Sequence, residues 1–85
     1  MGLLSYLTHI RSLPCLLCQH PAEAHHLMIV GGRGGKLKSG DEHAVPLCHQ
    51  HHMELHGMGN EYRFWDKHGV DPVEWSEKEF TEWLA

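Results

Sequence analysis

A chain of 85 residues supports one domain, and at that length the core is small enough to need a staple from disulfides, a metal or a partner. Three cysteines, an odd number, exclude a disulfide framework, while ten histidines favour metal binding. The formal net charge of −4 excludes a uniformly basic nucleic-acid binder, though not one with a single basic face.

The segment MGLLSYLTHIRSLP spaces Leu3, Leu4, Leu7 and Ile10 as a short helix or arm would, and Pro14 stops it. It is too short and too interrupted to cross a membrane. It has no basic leader and no small-residue cleavage site, and Tyr6 stands where a myristoylation signal needs Ser or Thr. The expectation is a soluble protein of a reducing, cytoplasmic setting with no membrane partner. CLLC at Cys15–Cys18 reads as a zinc knuckle over residues 13–20. AHHLMIV, residues 24–30, is apolar and partly β-branched, which predicts a strand. GGRGGKLKSG, residues 31–40, is a glycine-rich basic loop. HAVPLC, residues 43–48, predicts a second strand, with Pro46 marking an edge or a strand end.

A helix is predicted from His49 to about Met58, ended by Gly57 and Gly59. NEYRFWDKHG predicts another, with Gly69 as its stop. The last starts at Asp71 as N-cap with Pro72 in the first turn. Trp65, Trp75 and Trp83 are expected to pack in the core. The whole is one α+β domain over residues 1–85. It comprises the knuckle, a ββα core over 24–58 and C-terminal helices over 60–85.

Charge follows this division. Residues 1–40 carry Arg11, Arg33, Lys36 and Lys38 against Glu23 alone, whereas residues 41–85 carry three cations against ten carboxylates. Phosphate contacts require only the one basic face.

Structural zinc takes four N or S ligands in a tetrahedron, commonly as two short pairs. Cys15 with Cys18 and Cys48 with His51 supply two pairs with the same two-residue gap. His52 and His56, at i and i+4, share one helix face about 5–6 Å apart at Cβ and form a two-point metal grip. A solvated polar face is the plainer reading of that pair taken alone. His25 and His26 are strand neighbours and point to opposite sides, so one can ligate an ion while the other acts beside it. An imidazole titrates near neutrality and suits a general base. His49 is left as a solvated residue.

The string C-x-x-C, AHH, a Gly-rich basic loop, DEHAVPLC and HQHHMELH resembles the HNH (ββα-metal, His-Me finger) nuclease superfamily. Within it the likeness is to small phage and prophage proteins of the recombination-enhancement type. It rests on Cys15, Cys18, His25, His26, Gly34, Lys36, Asp41, Val45, Pro46, Leu47, Cys48, His51, His52, Glu54, Leu55 and His56, and covers roughly residues 10–70. The resemblance implies a zinc-stapled ββα-metal core with flanking helices. Cys15, Cys18, Cys48 and His51 hold structural zinc. His25, His52 and His56 hold a catalytic divalent ion (magnesium, manganese, nickel or zinc). His26 is the general base, and His43 falls where an orienting Asn often sits, with Asp41 as its rival for that place. Arg33, Lys36 and Lys38 hold the phosphate backbone. The implied activity is metal-dependent endonucleolytic hydrolysis of phosphodiester bonds in DNA, or in RNA, with weak sequence preference. A domain this small can need a second copy or a recombination protein to grip its substrate.

Two look-alikes fail on the string itself. Zincin proteases need H-E-x-x-H, and Glu54 falls one place late between His52 and His56. Zinc deaminases need H-x-E ahead of P-C-x-x-C, and here the order is reversed. The rival from another class is a non-catalytic zinc-binding module for nucleic acid or protein, which needs the Cys3His group but not His25, His26, His52 and His56.

Overall fold

The computed structural model describes residues 3–29 and 40–85, so the basic-loop residues Arg33, Lys36 and Lys38 lie outside the described residues. In chain order the elements are α1 (Leu3–Ser12), β1 (Glu23–His26), a 3-10 turn (Asp41–His43), β2 (Ala44–Leu47), α2 (His49–Met58), α3 (Glu61–His68) and α4 (Pro72–Leu84). The fold is mixed α+β: one two-stranded antiparallel sheet and four helices among the described residues.

Both strands are shorter than the apolar runs that predict them. β1 and β2 pair with Glu23 opposite Leu47, Ala24 opposite Pro46, His25 opposite Val45 and His26 opposite Ala44. One further bond, from Leu27 N–H to the His43 carbonyl at 3.0 Å, extends the pairing before the 3-10 turn diverts the chain. That turn takes His43 out of the second strand. Pro46 has no N–H to give the ladder, and its carbonyl faces outward to accept Leu16 N–H at 3.1 Å, which docks the knuckle on the strand edge.

Strand alternation splits the core in two. Val45 and Leu47 enter a cluster with Cys15, Leu27, Cys48, Leu55, Phe64 and Trp65. Ala44 enters the other, with Tyr6, Leu7 and Ile10 of α1, against which Phe80 and Trp83 of α4 pack. Trp65 is buried as expected, while Trp75 and Trp83 are half-buried and line the second cluster. Burial, followed by the charge of Glu79, pushes the Tyr6 phenol up to about 12.

The helix ends follow local chemistry. Gly59 and Gly69 stop α2 and α3 in the left-handed conformation, each at φ 69°. Gly57 lies within α2 rather than ending it. The Asn60 side chain caps α3 by accepting Arg63 N–H at 3.2 Å, and Asp71 caps α4 by accepting Glu74 N–H at 3.0 Å.

Phe64 is fully buried and packs edge-on against Trp65 at 5.0 Å between ring centroids. Phe64→Ala is expected to cost about 3–5 kcal/mol, read from the midpoint of denaturant unfolding. A cost under about 1 kcal/mol would mean that α3 is not anchored in this core.

Candidate functional site

The knuckle is built by a tight turn. Cys15 N–H donates to the His20 carbonyl at 2.8 Å and Gln19 N–H to the Cys15 carbonyl at 3.0 Å, with Gln19 in the left-handed region at φ 68°. The second pair sits where β2 becomes α2. Cys48 is the N-cap of α2, and its sulfur accepts His51 N–H at 3.4 Å.

The four residues converge as the spacing predicts. Cys18 Sγ lies 3.6 Å from Cys48 Sγ, and His51 Nδ1 lies 3.3 Å from Cys48 Sγ and 3.8 Å from Cys15 Sγ. A zinc tetrahedron with Zn–S of about 2.3 Å and Zn–N of about 2.0–2.1 Å has edges of about 3.5–3.8 Å. Donor set and distances therefore fit a structural zinc. Burial pushes the Cys15 thiol up, but hydrogen bonds from the backbones of Cys48, Leu17 and Cys18 and from the Cys18 thiol outweigh it and lower it to about 6. Cys18 moves the other way. The His20 backbone lowers its thiol, but partial burial and the neighbouring Cys48 and Cys15 together raise it.

A second group, His51, Glu54 and His68, also closes to within 4.8 Å. It shares His51 with the first. Lys67 Nζ already sits 2.5 Å from Glu54 Oε2 and lowers the pKa of this carboxylate, and His68 Nε2 lies 3.4 Å from the same oxygen.

The remaining histidines are sorted by the sheet. His25 is buried and turns toward α2, where its Nδ1 lies 3.1 Å from His52 Nε2. The His56 ring centroid lies 4.8 Å from that of His52, as near as the His25 ring at 4.9 Å, but 6.5 Å from that of His25. The structure therefore brings His25 and His52 to mutual ligand distance and leaves His56, an exposed residue, beside them.

Each of the two paired imidazoles has a carboxylate on its far nitrogen. His52 Nδ1 is 2.8 Å from Glu23 Oε1, and His25 Nε2 is 2.9 Å from Glu61 Oε2. A carboxylate only accepts, so a neutral ring in either contact carries its proton on the far nitrogen. In two neutral rings the facing nitrogens, 3.1 Å apart, would both carry lone pairs, an arrangement that a bound cation or one added proton relieves. Two imidazole nitrogens about 2.1 Å from a common point and at right angles about it stand about 3 Å apart, a spacing that this pair matches.

Neither carboxylate is evident in the histidine pattern. Glu23 is exposed, and its hydrogen bonds from His52 and then His49 lower its pKa. His49 is solvated as expected, its side chain 76% exposed, and its ring lies 3.3 Å from Glu23. Glu61 is buried. Burial alone would raise its carboxyl, yet hydrogen bonds from His25, Trp65 and the Met28 backbone bring it below the ordinary value of 4.5.

On the opposite side of β1, His26 Nε2 lies 2.7 Å from Asp41 Oδ1. His43 does not take the orienting place beside His26. Its ring lies 3.5 Å from Glu77 and 3.9 Å from Glu42, because the 3-10 turn directs Asp41 toward His26 and His43 toward α4.

The fold and these centres define a small α+β domain with a Cys3His cluster suited to a metal such as zinc. The chain belongs to the family described as "Protein of unknown function (DUF968)", which matches residues 2–84. It is 38% identical over 65 residues to the "Uncharacterized protein YdfU" of Escherichia coli (strain K12), covering 75% of this chain and 18% of that protein. The chain therefore spans under a fifth of the length of the curated relative it matches. No solved structure matches it. No helix among the described residues is long and apolar enough to cross a membrane.

Proposed function

We propose that this domain is a metal-dependent endonuclease of the HNH type that hydrolyses phosphodiester bonds in DNA with weak sequence preference. The observation that carries this reading is the sorting of two adjacent histidines. His25 faces His52 beside His56, and His26 pairs with Asp41 on the other side of the strand. In this reading Cys15, Cys18, Cys48 and His51 hold zinc and fix the ββα-metal core. His25, His52 and His56 hold the catalytic divalent ion.

That ion, when bound, supplies charge stabilisation to the phosphate and to the leaving 3′ oxygen. His26, held through Nε2 by Asp41, has Nδ1 left to take the proton of an attacking water. Asp41 fixes the ring and stabilises the imidazolium that forms, as the orienting carboxylate does in a Ser-His-Asp triad. Arg33, Lys36 and Lys38 grip the phosphate backbone and read no base edges, hence the weak sequence preference. A second copy of the chain, or a recombination protein, extends the grip of so small a domain.

One observation favours a second reading, a non-catalytic zinc-binding module for nucleic acid or protein. The Cys3His group closes to mutual ligand distance, and His25, His52 and His56 do not all do so. Incubation of supercoiled plasmid and single-stranded DNA with the purified protein separates the two. The nuclease nicks or cuts with magnesium, manganese, nickel or zinc added, and chelation stops it. No cleavage with any of these metals, together with one ion per chain, sinks the nuclease reading in favour of the module.

A further inference from the structure

Glu61 lies outside the histidine cluster, at the start of α3, yet three N–H groups converge on its carboxylate. His25 Nε2 and Trp65 Nε1 each lie 2.9 Å from Oε2, and Met28 N–H donates to Oε1 at 2.9 Å. The His25 and Glu61 side chains are only 6% and 5% exposed, so water does not compete for these bonds. We propose that Glu61 is the positioning residue of the His25/His52 ion site, fixing the His25 tautomer that leaves Nδ1 bare toward His52 Nε2.

The chemistry of the carboxylate supports the role. Ionised, it accepts at both oxygens and offers no proton, so His25 must carry its own on Nε2. Outer carboxylates that accept from the distal nitrogen of a ligating histidine fix its tautomer and raise its basicity. Glu23 does the same for His52 from the exposed side, where solvent can substitute for it. Glu61 has no such substitute. Its other two donors, the Trp65 indole and the Met28 backbone, lower the cost of burying its charge. The ion site is thus tied to α3, beyond the ββα core from which its ligands come.

The inference rests on the ion site of the proposed function, and its test separates the two. Zinc-loaded wild type, Glu61→Gln and Trp65→Phe proteins are titrated with cobalt under chelator competition. Thiolate-to-cobalt charge-transfer absorption that stays absent reports that the Cys3His zinc is undisturbed. The glutamine has one acceptor oxygen for three donors, and its amide can donate to His25 Nε2 and send the ring proton to Nδ1, into the ion site. Glu61→Gln should weaken the second ion about 10–100-fold. Nitrogen-15 spectra of the His25 ring, recorded without cobalt at pH 8, should show the Nε2–H form in the wild type and its loss in the variant. Trp65→Phe removes one donor from the same carboxylate without touching His25. It should lower the unfolding midpoint and leave cobalt affinity within about twofold.

Equal cobalt affinity in wild type and Glu61→Gln overturns the role of Glu61 while the ion site stands. Equal losses in Glu61→Gln and Trp65→Phe overturn it too, because packing alone would then account for the effect. A wild type that binds no second ion removes the ion site itself, and this inference falls with it.

Discussion

Cys48→Ser is expected to leave the chain without a cooperative unfolding transition at 25 °C and without its zinc. The substitution is unusually clean, since serine is a stronger N-cap than cysteine and α2 keeps its cap. What goes is one of four ligands, with Cys18 Sγ at 3.6 Å and His51 Nδ1 at 3.3 Å losing their common partner. Structural zinc sites contribute about 10–16 kcal/mol of apparent folding free energy, whereas small domains retain only about 5–15 kcal/mol in total. Circular dichroism and zinc stoichiometry on the same preparation check this. A wild-type melting curve with unchanged zinc content would mean that Cys48 is an ordinary buried thiol. Chelation of the wild type should reproduce the effect of the variant and be reversed by added zinc.

His26→Ala should do the opposite, removing activity and sparing the fold. The His26 side chain is 42% exposed and its known partner is Asp41, itself partly exposed, so stability should change by no more than about 0.5 kcal/mol. If it is the general base of the proposed nuclease, its loss should lower plasmid nicking about 10²–10⁴-fold. Asp41→Asn should fall between wild type and His26→Ala, because the ring remains but loses its ionised partner. Nicking that survives His26→Ala undiminished would remove this histidine from the reaction, whatever its position.

The contrast between the two variants reflects what the sequence could reveal. The Cys3His cluster was legible because its information is local: two pairs, each with a two-residue gap, need only a turn to bring their side chains together. The helix stop at Gly69 and the cap at Asp71 were equally local and appear where expected, whereas the Asn60 cap is a finding of the structure. The strands were overestimated because an apolar run marks burial, not hydrogen bonding, and Leu27 and Ile29 are partly or wholly buried without belonging to β1. Asp41 and His43 could not be separated by spacing, since a 3-10 turn three residues long decides which faces His26. Glu61 was hidden for a different reason. It lies 36 residues from His25, and a single glutamate in a helix reads as a solvated first-turn residue until the tertiary contact is seen.

The pairing of His26 with Ala44 and His25 with Val45 has a consequence for how tolerant the chain is of insertion and deletion. The two histidines are chemically identical, so nothing in their side chains tells one from the other. Their roles are assigned by parity alone: a one-residue slip of β1 would exchange them, sending His26 toward α2 and His25 toward Asp41. The segment from Cys18 to Glu23 therefore acts as a measuring rod, anchored at one end by the knuckle and at the other by the sheet. Its length sets which imidazole meets which neighbour.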